Sequence, residues 1–130
     1  MENKILIKYQ NGEILEEKME DFIFYKKYYT YVLINSEDNI PFYVGKGKRY
    51  RYKSHIIQFL RNKASNNNNH LYYKIRKIFN SGNHIIVEFP LISDIEKDSL
   101  IFEVNLIKQL GRTNINTGVL CNLTDGGEGV

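Results

Sequence analysis

One cysteine, Cys121, stands among 130 residues. A single thiol excludes a disulfide within the chain and any zinc site built on several cysteines. Such sparing use of cysteine fits a reducing, cytoplasmic compartment. Tryptophan is absent, alanine occurs once (Ala64), and the prolines are Pro41 and Pro90. No apolar run approaches the roughly 18 residues a membrane span needs. The start, Met1-Glu2-Asn3-Lys4, leads into too short an apolar stretch for a signal peptide. The longest absence is of acid: from Pro41 to Val87 there is neither Asp nor Glu.

What fills that stretch is cationic. Lys46, Lys48, Arg49, Arg51, Lys53, Arg61, Lys63, Lys74, Arg76 and Lys77 lie in it, with all three histidines, although the whole chain carries only +3. Cations interleaved with tyrosine attract polyanions through their summed field and through counterion release. Nucleic acid is the expected partner, with Lys46, Lys48, Arg49, Lys53, His70 and Lys74 as contacts.

Periodicity gives the order of elements. Lys4–Tyr9 alternates around Ile5 and Ile7, Asn11-Gly12 is a two-residue hairpin signal, and Ile14-Leu15 would pair back. Met19–Lys27 fits helix and strand equally. Thr30–Asn35 and Pro41–Val44 read as a hairpin, broken by Gly45-Lys46-Gly47. A first helix is expected from Arg49 to Arg61, with Tyr52, Ile56, Phe59 and Leu60 inward. Ser65–Asn69 is polar loop. A second helix runs from Asn69 to Phe79 over Leu71, Ile75 and Ile78. Ile85–Phe89 is a strand ended by Pro90. A third helix starts near Ser93 as N-cap and runs to Leu110 along Leu100, Val104, Ile107 and Leu110. A short strand is expected at Leu120–Thr124. The fold class is therefore α+β: a small central mixed or antiparallel sheet of about three strands flanked by three helices, with an N-terminal hairpin-like extension.

Several residues have chemistry to offer. Closing the 30–44 hairpin brings Tyr31 near Tyr43, and a phenol among cations is expected to ionise more readily. Two ordinary packed tyrosines are the plainer alternative. Arg51 and His55, four apart, share one helix side and suit a phosphate clamp, or equally a solvent-facing pair. Glu103 lies at the edge of the third helix's apolar stripe. A carboxylate there calls for a cation, either Arg51 or a bound metal ion, unless it simply snorkels to solvent. His70 and Asn122 alone read as a cap and a turn residue.

Together these residues stand in the order of the GIY-YIG nuclease family, which the chain resembles over about residues 29–129. Tyr29-Thr30-Tyr31 occupies the place of the first motif, lacking its Gly and Ile, and Tyr43-Val44-Gly45 resembles the second. Arg51 and His55 match the Arg-x-x-x-His helix, Glu103 the metal-binding Glu, and Asn122 with Asp125-Gly126-Gly127-Glu128-Gly129 the late Asn and glycine-rich tail. The resemblance implies a nuclease domain over 29–130 preceded by an acidic extension, 1–28. It implies a divalent-metal-dependent endonuclease acting on DNA, with Mg2+ or Mn2+, one ion per active site, on Glu103. Tyr31, Tyr43, Arg51, His55 and Glu103 would be catalytic, and Asn122 would join the nucleic-acid contacts. The reduced first motif leaves a second expectation, an inactive nucleic-acid-binding module of the same fold. One active site cuts one strand, so a double-strand break would need a homodimer or a second encounter. Further domains in a longer native chain are expected to supply specificity.

Overall fold

The computed structural model describes residues 7–10, 13–16, 27–61 and 69–127. Met19–Lys26 of the ambiguous segment, Lys63 and the Ser65–Asn68 loop lie outside them. So do Asn11-Gly12 and the last three residues of the tail.

Five strands form one antiparallel sheet: β1 (Ile7–Gln10), β2 (Glu13–Glu16), β3 (Tyr28–Asn35), β4 (Pro41–Gly47) and β5 (His84–Ser93), in the order β2-β1-β5-β3-β4. Gln10 stands opposite Glu13, the register that a two-residue connection sets. The expected three-stranded sheet is β5-β3-β4, and the N-terminal hairpin extends it because β1 pairs with β5. Three helices flank the sheet: α1 (Ser54–Leu60), α2 (Asn69–Asn80) and α3 (Glu96–Leu110).

Alternation along β3 builds two cores. Tyr29, Tyr31 and Leu33 pack with Tyr52, Ile56, Leu71 and Ile75, which places α1 and α2 on one face. Val32, Ile34 and Val44 pack with Ile107 and Leu120, which places α3 on the other. Each fully buried aliphatic or aromatic side chain contributes about 1.5–3 kcal/mol, so both faces are firmly held.

Local chemistry moved several expected boundaries. Pro90 does not end β5. Thr30 faces Leu91 and Val32 faces Glu88, so Tyr31 is opposed by both Phe89 and Pro90. That bulge accommodates a residue with no N–H to give. Gly45-Lys46-Gly47 lies inside β4, paired with Tyr31, Thr30 and Tyr29. Arg49 takes a left-handed φ of 54°, which bars a helix there. The chain instead enters α1 through a 3-10 turn at Arg51–Lys53. Leu60 is exposed rather than inward. Ser93 lies before α3, not at its cap. Its hydroxyl accepts the Ile95 N–H and donates to the Asp98 carboxylate at 2.7 Å. The expected strand at 120–124 is only one parallel bridge, Arg112 to Leu120.

The 120–122 segment has another task. Strand β4 is the sheet's edge on this side, and its outward peptide groups need partners. The Cys121 N–H donates to the Phe42 carbonyl. The Asn122 amide donates to the Val44 carbonyl at 2.8 Å, and its oxygen accepts the Val44 N–H at 3.0 Å. Asn122 is buried, with both its amide oxygen and its amide nitrogen engaged in this clamp. Its amide thus braces the edge of β4 from within, rather than standing on the surface as the nucleic-acid contact that the resemblance implied. Asn122→Ala should strip both partners from Val44 and lower stability by about 2–4 kcal/mol in urea unfolding. An unchanged midpoint would mean that water replaces the clamp.

Candidate active site

Tyr31 and Tyr43 project from β3 and β4 with ring centroids 6.3 Å apart. Tyr31 lies across Gly45, its strand partner: a Cβ on Gly45 would come within 2.4 Å of the phenol. The missing side chain lets the ring pass over β4 toward the sheet edge. There a cavity of about 220 Å³ is lined by Tyr31, Tyr43, Gly45, Lys46, Arg51, Glu103 and Thr124.

Each lining group is held from behind. The Tyr29 hydroxyl donates to the Arg49 carbonyl at 2.8 Å and accepts the Tyr52 N–H at 3.0 Å, pinning the turn that carries Arg51. Tyr29 is thus a brace for the site, while Tyr31 is the tyrosine that reaches it. The Thr30 hydroxyl donates to the Ser99 carbonyl at 2.9 Å, tying β3 to α3 one turn before Glu103. On α3 the buried line is Ser99, Glu103 and Ile107. The expected stripe of Leu100, Val104, Ile107 and Leu110 is therefore rotated, and Glu103 is central to it. Two polar residues occupy that line because Thr30 and the glycine tail meet them. The Gly127 N–H donates to Glu103 Oε1 at 3.2 Å. Gly126, at φ 83°, approaches so closely that a Cβ would lie 3.0 Å from the same oxygen. Arg112 secures this tail through the Leu123 carbonyl and the Asp125 carboxylate.

Electrostatics corrects one expectation. Burial, reinforced by Tyr43, holds the Tyr31 phenol well above its ordinary value, and Arg51 only partly offsets this. Tyr31 is a neutral hydroxyl rather than a ready phenolate, because desolvation outweighs the nearby cation.

His55 stands behind Tyr43, edge to face at 4.9 Å, and does not line the cavity. Neither ring nitrogen has a hydrogen-bond partner. Burial first, then Arg51, pushes His55 down to about 4 from 6.5. On acidification the unfolded chain takes this proton first. The stability that neutral His55 contributes is complete above pH 6.5 and is lost as pH falls toward 4. Urea unfolding at pH 7, 6, 5 and 4 should show this slope, and His55→Phe should flatten it. Parallel curves for the two proteins would remove His55 as its source.

The remaining candidates divide. Lys46 is buried and lines the cavity, whereas Lys48 and Arg49 are exposed on the turn after β4. Lys53 lies 5.0 Å over the Tyr50 ring. His70 and Lys74 are elsewhere: His70 meets the Thr113 hydroxyl at 2.6 Å, and Lys74 acts on the Cys121 thiol, which burial raises to about 11. Neither lines the cavity. Sequence reasoning missed Thr30, Ser99, Thr124 and Arg112. Only Thr124 carried a signal, standing directly before the Asp-Gly-Gly tail.

The donor set fits a hard, hydrated divalent ion. It offers one carboxylate, oriented by the Gly127 N–H, beside two phenolic oxygens. A cavity of about 220 Å³ has room for several waters at ~30 Å³ each. No group of three or more His, Cys, Asp or Glu occurs among the described residues, so a site closed by several protein ligands is not formed there. Magnesium, which keeps most of its waters, suits such a site.

No described helix is long and apolar enough to cross a membrane. No match is found among curated proteins or among solved structures. The profile of the LEM-3-like GIY-YIG domain, however, matches residues 28–126, from the first residue of β3 into the glycine tail that seats Glu103. That span holds all the residues lining the cavity, and the chain belongs to the LEM-3-like GIY-YIG family, with a GIY-YIG nuclease domain over those residues.

Proposed function

We propose that the chain is a divalent-metal-dependent endonuclease that hydrolyses phosphodiester bonds in DNA, one strand per active site. The observation that carries this reading is the common cavity of Tyr31, Tyr43, Arg51 and Glu103. The nuclease unit is residues 29–130, and residues 1–28 add a hairpin to its sheet.

In this reading the scissile phosphate enters with two of its oxygens on the Arg51 fork. Water attacks phosphorus in line, the bond to the leaving oxygen breaks, and a proton ends on that oxygen. Tyr31, as a neutral hydroxyl, holds the attacking water by hydrogen bonding. Tyr43 turns its hydroxyl toward the same phosphate, its ring fixed by His55 behind it. Lys46 adds positive charge where the pentavalent phosphorus gathers negative charge. A Mg2+ or Mn2+ ion on Glu103 supplies charge neutralisation at the leaving oxygen when bound. Lys48, Arg49 and Lys53 draw in the flanking backbone.

Supercoiled plasmid with Mg2+ or Mn2+, against an EDTA control, tests this. Nicked circles should accumulate before linear product. Linear product would then follow from a second encounter or from pairing of two chains. Salt-sensitive binding without cleavage in any divalent ion would overturn the reading in favour of an inactive binding module.

A further inference from the structure

A second cavity adjoins the first. It has a volume of about 400 Å³ and is lined by Tyr28, Lys46, Gly47, Lys48, Arg51 and Glu96. Lys46 and Arg51 line both cavities, so the two meet at the residues that would hold the scissile phosphate. Beyond that shared edge the second chamber has walls of its own: the Tyr28 ring, the Glu96 carboxylate and the exposed Lys48 ammonium. The Lys48 ammonium lies over the Tyr28 ring, 5.6 Å from its centre, so cation and aromatic ring meet at one wall of the chamber. Glu96, the first residue of α3, brings the carboxylate from the opposite sheet connection.

A phosphate alone would not select a carboxylate as neighbour. A nucleobase would, provided its edge offers donors. Guanine fits best, because its Watson–Crick edge carries two adjacent donors, N1–H and N2–H2, for the two oxygens of one carboxylate. Its O6 and N7 are acceptors for an ammonium, and its ring face suits a tyrosine. We propose that this chamber binds one unpaired guanine next to the scissile phosphate, with Tyr28 as wall, Glu96 on N1 and N2, and Lys48 on O6 or N7. Its placement beside the cut rests on the nuclease reading, whereas base binding itself does not. The preferred substrate is then DNA whose guanine beside the cut lies outside a base pair. Taking a base out of a duplex costs free energy that a mismatch or a single strand has already relinquished.

The test uses the whole chain in EDTA, so that binding is read without turnover. Fluorescence anisotropy is recorded with single-stranded deoxyoligonucleotides of thymine that carry one guanine, one adenine, one cytosine or one abasic residue. The guanine strand should bind about tenfold more tightly than the thymine and abasic strands. Glu96→Gln should remove the preference for guanine, and Tyr28→Ala should weaken guanine binding toward the abasic level. Plasmid nicking by both variants is measured in parallel. Equal affinity for guanine and abasic strands overturns the pocket, even if the plasmid is cut. Guanine preference that depends on Glu96, without any nicking, upholds the pocket and overturns the nuclease reading instead. A preference for adenine or cytosine over guanine also overturns the assignment, because one donor group would then suffice.

Discussion

Glu103→Gln should lower plasmid nicking at least about a thousandfold, because charge neutralisation by a metal ion contributes several kcal/mol to a transition state of this kind. The exchange keeps the shape of the side chain. Glutamine's oxygen still accepts the Gly127 N–H, which the structure places 3.2 Å from Oε1. The fold should therefore survive, with a change in unfolding free energy near ~1 kcal/mol. What disappears is the negative charge that, in the proposed function, would hold a cation in the cavity. The loss should appear in the rate at saturating DNA more than in binding measured in EDTA. Nicking within tenfold of the wild type would place the ion elsewhere and remove Glu103 from the centre of the reaction.

Gly45→Ala should be nearly as damaging to activity, through geometry rather than charge. The added methyl would meet the Tyr31 ring and hydroxyl at 2.4–2.6 Å, too close for any rotamer adjustment of the methyl itself. Tyr31 is buried between two strands and must be displaced, at about 1–3 kcal/mol of overpacking. A reacting group misplaced by ~1 Å loses about a hundredfold in rate, so nicking should fall by that order. Gly82→Ala is the control. Gly82 has a φ of 80° and nothing within 4 Å of the added atom. It should destabilise by about 1–2 kcal/mol through backbone strain alone and leave nicking unchanged. Equal loss of activity in both variants would mean that stability, not the position of Tyr31, governs the assay.

The sequence made the outline readable where its signals were local. Asn11-Gly12 between alternating residues announced the hairpin, and Leu71, Ile75 and Ile78 announced the inward face of α2. The gathering of Tyr31, Tyr43, Arg51 and Glu103 at one cavity was implied by the resemblance of their motifs to the GIY-YIG family. The misreadings concern residues whose role is set by a partner far away. Glu103 belongs to a buried line with Ser99 and Ile107 because Thr30 and Gly127 meet that line, and no helical period reports such partners. Asn122 looked like a turn residue, yet its amide satisfies a peptide group 78 positions earlier. Pro90 looked like a terminator because the bulge opposite Tyr31 is a property of two strands together. Tyr31 was expected to ionise because cations are visible in sequence, while the burial that overrules them is not.

The clamp of Cys121 and Asn122 on β4 closes part of one border of the sheet to growth. Over Phe42 to Val44 the chain's own tail already takes the place that an added strand would occupy. A strand contributed by a fused module or a second copy is therefore refused along that stretch of β4.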